Sequence, residues 1–500
     1  MHASFFSKPR KGDDVSLSAA NVESFNALFA PSAIAVVGAS TTSMSGGNRF
    51  IRHLKAFGYA GRIFPIHPSA SEIEGMPAYP SVSATPAPID YAYVAVAAQH
   101  VPGLLRSFTG CVRIAQVMSS GFSEASGGHE LERELVRAAQ EAKVRVIGPN
   151  CLGVYSPRGR VTFTDRTTGE AGSVGIICQS GGLGVDIIRR GQNRGVRFSG
   201  LVTVGNCADV RPHELLEYFL ASPETKVIGL YLEGAGDGRH LFEALRAAKV
   251  KKPVVILKGG RTGQGRRAAA SHTGALAGSD NGWKALSAQT GAVLVEELDT
   301  FLDTLLAFQC LQPRDIAMQR AVLFGNGGGA SVLGTDALAR AGFDVAPFAP
   351  EVAAKLQALK LPAGSSVLNP IDLPAGALQQ DEGKAAEAIF DAISEGGGTD
   401  VLVVHVNMTV VLSFRHVDML GNLMNAVLRV KSRDRSGMHV VLVLRSDGDP
   451  DIEGPKREYR ARAVAAGLPV FDELNVAAEA LASVRHFEAF RERVAKFIEI

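Results

Sequence analysis

One local pattern occurs three times along the chain and restricts its fold more than any other feature. A short run of β-branched and other apolar residues stops abruptly at small residues, and a helical pattern follows. The first copy is AIAVVGAS (33–40), which leads through Gly46-Gly47 into NRFIRHLKAFG. The second is VGIICQSGGLG (174–184), running into VDIIRRGQ, and the third is AVLFGNGGGASVLG (321–334), running into TDALARAG. Continuous apolar strands that alternate with helices belong to parallel sheets covered on both faces. RIFPIHP (62–68), YAYVAVAA (91–98), RVIGPNC (145–151), VIGLYLEG (227–234), VVILKGG (254–260), VLVVHVN (401–407) and VVLVLRS (440–446) read as strands of the same kind. The expected fold class is α/β throughout, built of Rossmann- and flavodoxin-like parallel sheets. In such sheets ligands bind in the crevice outside the carboxyl ends of the strands.

A chain of 500 residues exceeds one core, and ~100–200 residues per domain predicts about three domains. SPRGRVTFTDRTTGEAGS (156–173) and LQPRDIAMQR (311–320) read as linkers. The expected domains are therefore 29–155, 170–308 and 320–500, with residues 1–28 a weakly ordered extension. Lys and Arg number 52 against 50 Asp and Glu, so no overall field favours nucleic acid or an anionic membrane. An anionic ligand must be held by local chemistry. The five cysteines (111, 151, 178, 207 and 310) show no CxxC spacing, which suits a reduced, cytoplasmic chain. MHASFFSKPRKGDD lacks an apolar core of signal-peptide length, and no apolar run approaches ~20 residues.

The glycine-rich strand ends are the first candidates for chemistry. The first N–H groups of a helix lack partners, and its dipole leaves partial positive charge there. Glycine lets that backbone approach a phosphate closely. Gln179-Ser180-Gly181-Gly182 and Asn326-Gly327-Gly328-Gly329 both have this form, although glycine also serves plain tight turns. The third copy also reads Gly325-x-Gly327-x-x-Ala330 with Asp344 at the end of the next expected strand, which fits a dinucleotide fingerprint and an NAD-dependent oxidoreductase. No hydride-transfer constellation accompanies it. Gly260 to Arg267 has the glycine spacing of a P-loop, but Arg266-Arg267 stand where Lys and Ser or Thr are required, so nucleotide binding there is rejected. AAASHTGALAGSDNGW (268–283) then places His272 between Ser271 and Thr273 in a run of small residues, read as a surface loop. A neutral imidazole nitrogen is nucleophilic near pH 7 and suits covalent phosphoryl transfer. Glu233 ends an apolar strand; it is either a solvated strand-end charge or the acceptor that fixes the tautomer of His272.

LFAPSAIAVVGAS, RVIGPNCLGVYSP, GSVGIICQSGGLG, TVGNCADV, LYLEGAGDGR, LKGGRTGQGRRAAASHTGALAGSD, LFGNGGGASVLGTDAL and NPIDL together resemble the ADP-forming acetyl-CoA synthetases (acetate–CoA ligases) and, more distantly, the succinyl-CoA synthetases. The resemblance implies a CoA-binding Rossmann-like domain followed by two flavodoxin-like ligase domains. It implies the reversible reaction of acyl-CoA, phosphate and ADP to acid, CoA and ATP, through an acyl phosphate. By the same resemblance His272 is the phosphorylated histidine and Glu233 its carboxylate partner. Ser180-Gly181-Gly182 with Gln179, and Asn326-Gly327-Gly328, correspond to paired helix starts facing the phosphate. Gly38, Ser40, Thr41, Gly46, Ser120 and Gly121 correspond to loops contacting coenzyme A, with Asn150 and Cys151 near its thiol end. His67-Pro68-Ser69 departs from a frequent Asn-Pro-Lys, which leaves Arg49 as the candidate cation, and Ala97 replaces a frequent proline. No segment here matches an ATP-grasp module. The resemblance therefore implies a hetero-oligomer in which this α-type chain meets an ATP-grasp β-type subunit carrying ATP or ADP and Mg2+. A CoA-binding regulatory or scaffold protein is the remaining alternative; it would tolerate loss of His272.

Overall fold

The computed structural model describes residues 25–42, 45–234, 238–248, 252–273, 280–414, 416–434 and 436–498. Contacts divide the chain into two compact units: residues 1–163, 202–223 and 236–251, and residues 164–201, 224–235 and 252–500. In the first unit the strands β1 (Ala33–Val37), β2 (Arg62–Ile66), β3 (Ile89–Val94), β4 (Val112–Val117) and β5 (Arg145–Ile147) form a sheet in the order β2-β1-β3-β4-β5. Every pairing within it is parallel. Chain direction across the sheet reverses beside β1, which makes its carboxyl end the switch-point crevice of such a fold. Helix α1 (Gly46–Phe57) covers the sheet with Phe50, Ile51 and Leu54, and ends at Gly58 with φ 80°. The Phe50 ring stacks on Tyr93 at 4.1 Å.

Residues 1–24 of the expected extension lie outside the described residues. Its last part is packed: residues 25–29 are helical, and Phe25, Leu28 and Phe29 are buried at i, i+3 and i+4 spacing. Phe29 stacks on Tyr218 at 5.0 Å within the same unit.

The second unit contains two more sheets. In one, β6 (Val174–Cys178), β7 (Val227–Leu232), β8 (Val254–Lys258) and β9 (Val293–Val295) lie in the order β9-β8-β7-β6, all parallel. In the other, β10 (Ala321–Gly325), β11 (Ile371–Asp372), β12 (Val401–Asn407), β13 (His439–Arg445) and β14 (Val470–Phe471) lie in the order β11-β10-β12-β13-β14, again parallel. All five residues of β1, of β6 and of β10 are buried, which is why these strands are uninterrupted apolar runs rather than alternating ones. Glu488 is wholly buried in the C-terminal helix Leu474–Ile498, yet it accepts from the N–H groups of Arg314 and Met318 at 2.8 and 2.9 Å. Those bonds supply the partners a buried carboxylate requires.

One expectation is corrected. Of the segment 268–283, read as a surface loop, residues 268–273 form the end of a helix, α3 (Gly263–Thr273), and residues 280–283 begin another. The hydroxyl of Thr262 accepts the Gly265 N–H at 3.0 Å and starts α3, and Ala268-Ala269-Ala270 have the highest helix propensity of any residue. Small residues were compatible with either state.

Gly229, in the middle of β7, tests the packing. A Cβ there would lie 2.6 Å from Ile176 Cδ1 and 2.7 Å from Phe301 Cζ. Gly229→Ala is expected to destabilise this unit by about 1–3 kcal/mol through overpacking, read as a lower urea midpoint with unchanged slope.

Candidate active site at the carboxyl edges of the sheets

In the first unit, the residues expected to contact coenzyme A gather where β1, β3, β4 and β5 end. Gly38 leaves β1 at φ +98°, and a Cβ there would be 2.2 Å from the Ala95 carbonyl oxygen. Only glycine fits. Ser45 caps α1: its hydroxyl accepts from Asn48 N–H at 3.3 Å and donates to Gly38 O at 2.9 Å. Asn48, buried in the first turn, holds Ser40 from both sides. Its Oδ1 accepts the Ser40 N–H at 2.8 Å and its Nδ2 donates to Ser40 O at 2.9 Å and to Glu74 at 2.8 Å. Ser40 is thus held before any ligand arrives, with Thr41 exposed beside it, Gly46 opening the helix and Arg49 exposed in its first turn.

Ser120 and Gly121 follow β4. Gly121 has φ +109° and donates its N–H to Glu124 at 2.5 Å. Burial opposes ionisation of Glu124, but the Asn206 amide at 2.5 Å and the backbone donors outweigh it and bring its pKa below the usual value. Asn150 follows β5 in the left-handed region at φ 57° and donates its N–H to Ser119 O at 3.0 Å. Cys151 beside it is fully enclosed, with its thiol pushed up to about 12 by burial. His67 Nδ1 accepts the N–H groups of Ser69 and Ala70 at 3.2 and 3.0 Å, so that histidine organises its own turn. The sequence reading missed Asn48, Glu124 and Asn206.

In the second unit, β6 and β7 are neighbours in register, with Tyr231 opposite Cys178, so the residues after them share one edge. There the buried Gln179 accepts the N–H groups of Glu233 and Gly234 on one oxygen, at 2.7 and 3.3 Å. Ser180 caps helix α2 (Gly181–Arg194) by accepting from Leu183 N–H at 3.4 Å. Gly182 is open: a Cβ there would meet nothing within 4 Å, and the first turn of α2 holds no acidic residue. Glu233 is 6% exposed and accepts from the Tyr231 hydroxyl at 3.2 Å. Lys258, on the adjoining β8, donates to Glu233 O at 2.7 Å, and its ammonium lies 5.7 Å from the Trp283 ring centre. Burial pushes the Lys258 pKa down, partly offset by Glu233. From β8 the chain enters α3, whose last turn includes the backbone of His272; the histidine side chain lies outside the described residues. Arg261 before α3 pairs with Asp280 beyond it at 3.0 Å.

At the edge of the third sheet, Asn326-Gly327 precede helix α4 (Gly328–Arg340), and Asn326 Oδ1 accepts the Asn407 N–H at 2.8 Å. Asp372 accepts the Gly327 N–H at 2.8 Å. Asp344, the acidic residue of the dinucleotide pattern, lies at the opposite end of β10, where its carbonyl accepts the Ala321 N–H at 2.9 Å. It cannot reach a ribose bound at the glycine turn, and the oxidoreductase reading loses its second element. Among the described residues no group of three or more His, Cys, Asp or Glu could hold a metal, and no helix is long and apolar enough to cross a membrane.

Known proteins resemble this chain in sequence and fold. Residues 32–157 match the CoA binding domain, and residues 171–308 match the succinyl-CoA ligase like flavodoxin domain. The α subunit of the ADP-forming acetate–CoA ligase I of Pyrococcus furiosus is 32% identical over 482 residues, which is 94% of this chain and 99% of that one. The chain belongs to the ADP-forming acetate–CoA ligase family. Another family member, the ADP-forming acetate–CoA ligase I of Archaeoglobus fulgidus, is 33% identical over 87% of this chain but only 62% of its own length. The acetyl-coenzyme A synthetase 1 of Ca. Korarchaeum cryptofilum, solved in complex with phosphate and ADP, superposes with a TM-score of 0.81 at 29% identity, over 95% of this chain and 99% of that one.

Gln179 joins the two strand ends of this ligase's second sheet. Gln179→Ala leaves the Glu233 and Gly234 N–H groups without their buried acceptor, and is expected to cost about 1–3 kcal/mol of stability in chemical denaturation.

Proposed function

We propose that this chain is the α-type subunit of an NDP-forming acyl-CoA synthetase, which interconverts acyl-CoA, ADP and phosphate with a carboxylic acid, CoA and ATP. The observation that carries the reading is the edge of β6, β7 and β8. A buried carboxylate, an amide-lined helix start without acidic neighbours, and the strand leading to His272 are adjacent there in one sheet. The domains we assign are 29–155 for coenzyme A, 170–308 for the phosphohistidine and 320–500 for the second ligase module.

The Gly38–Gly46 loop, Ser120-Gly121 and Asn150 hold coenzyme A; the glycine cradle at β1 suits a diphosphate, which needs close backbone approach. Phosphate attacks the thioester carbonyl, the carbon–sulfur bond breaks, and CoA leaves with an acyl phosphate remaining. A ring nitrogen of His272 then attacks phosphorus and the carboxylate departs. Glu233 accepts a hydrogen bond from the other ring nitrogen, which keeps the attacking nitrogen unprotonated. The N–H groups of Gly181 and Gly182 meet the phosphoryl oxygens, a contact worth up to ~2 kcal/mol in a partly buried site. Asn326-Gly327-Gly328 present a second such start.

Phosphohistidine then passes its phosphoryl group to ADP on an ATP-grasp β-type subunit, which supplies Mg2+. The relative from A. fulgidus, of which 38% lies beyond the match (100 − 62), has room for such a module within one chain. The assembly is a cytoplasmic hetero-oligomer.

Incubation with the β-type partner and labelled ATP is expected to give acid-labile, base-stable phosphate on the wild-type chain and none on His272→Ala. Normal labelling of that variant rejects the assignment. Glu233→Gln should slow labelling by about 100-fold while CoA binding is unchanged. Retained CoA-dependent activity without His272 would instead favour the scaffold reading.

A further inference from the structure

The two helix starts of the second unit differ in one respect that affects how an anion can use them. Neither helix has an acidic residue in its own first turn, but the start of α4 carries Asp372, from β11, on its Gly327 N–H. A Cβ on Gly328 would lie only 3.2 Å from the second oxygen of Asp372. The Asp372 carboxylate therefore occupies the Gly327 amide, a donor that a phosphate at this helix start would use. Phosphate and Asp372 cannot both occupy this tip.

A place for Asp372 to go is built into the sheet. Asp372 on β11 stands opposite Gly325 on β10, and Phe324 stands opposite Val404 on β12, which sets Gly325 beside His405. Asp372 and His405 thus flank Gly325 on one face, two strand spacings apart, or ~10 Å between backbones. With glycine at 325 no side chain stands between them, and the His405 ring lies close over its Cα: a Cβ there would be 3.3 Å from His405 Nδ1 and 3.5 Å from Ser331 Oγ. His405 is 2% exposed, and neither of its ring nitrogens has a hydrogen-bond partner among the described residues. Ser331 Oγ and Asn326 Nδ2, in the same turn, are also buried without one. Buried polar groups are normally paired, so a cluster this size marks a position whose partner arrives in another state. Burial, with Arg445 in support, pushes the His405 pKa down to about 4, so at neutral pH the imidazole keeps one N–H to donate.

We infer that Asp372 is a two-position carboxylate. It caps Gly327 while the turn is free of anion, and it crosses Gly325 to the N–H of His405 when a phosphate or phosphoryl oxygen takes the Gly327 amide. His405 is then a positioning residue, acting on the anion only through Asp372. The inference rests on the proposed phosphate role of Asn326-Gly327-Gly328, and it makes the α4 tip conditional, whereas the α2 tip is open at Gly182.

Calorimetric titration of inorganic phosphate into the full chain tests it with five variants. Asp372→Asn is expected to bind about tenfold more tightly than wild type. His405→Phe should bind several-fold more weakly, and His405→Gln, which keeps a donor, should recover most of the loss. In the Asp372→Asn background His405→Phe should have no effect, because the coupling between the two residues is what is being measured. Gly328→Val, which obstructs the tip, should weaken binding. Equal losses from His405→Phe with and without Asp372, or an Asp372→Asn variant no tighter than wild type, would overturn the switch. If Gly328→Val still weakens binding in that case, the phosphate role of the turn stands alone; if none of the variants changes binding, that role falls as well.

Discussion

A single side-chain amide organises the edge on which the proposed chemistry depends. Gln179 follows β6, a fully buried strand of its sheet, and its oxygen accepts the N–H groups of two consecutive residues after β7. That bond sets where the chain leaves β7, and so where the Glu233 carboxylate stands relative to the start of α2. Lys258 repeats the device from the other side by donating to Glu233 O. With its backbone held by residues from both neighbouring strands, Glu233 can present a carboxylate in a buried place without the local backbone adjusting. Preorganisation of this kind lets an electrostatic site act on a phosphoryl group without rearranging when it arrives.

The first unit reaches the same end by other means. Asn48 ties the loop after β1 to the first turn of α1 through both its donor and its acceptor, and Ser45 closes the ring onto Gly38 O. Near the end of β4, Glu124 and Asn206 form a half-buried polar pair, and Glu124 takes up the Gly121 N–H. In each case a glycine permits the close approach and a neighbouring polar side chain sets its position.

Much of the sheet framework could be read directly from the sequence, because strands buried on both faces have no alternation to disguise them; AIAVV, VGIIC and AVLFG are apolar from end to end. Residues 268–273 are helical where a loop is expected, because a run of small residues fits a loop as well as a helix. The dinucleotide pattern around Gly325 was a coincidence of spacing: Asp344 pairs beside Ala321, at the far end of the strand. The supporting polar residues were out of reach for a different reason. Asp372 meets Gly327 across 45 residues and Asn206 meets Glu124 across 82, and no local pattern encodes such a pairing. Glycine and serine at a strand end announce a possible anion site; the residues that hold it in place, or occupy it, become visible only in three dimensions.

The most direct test is a titration of inorganic phosphate into 15N-labelled, deuterated protein, followed at the backbone amides of Gly181 and Gly182. Saturable shifts of both signals, lost when Ser180 no longer caps α2, are the predicted result. Phosphate binding that leaves both amides unmoved would contradict the account.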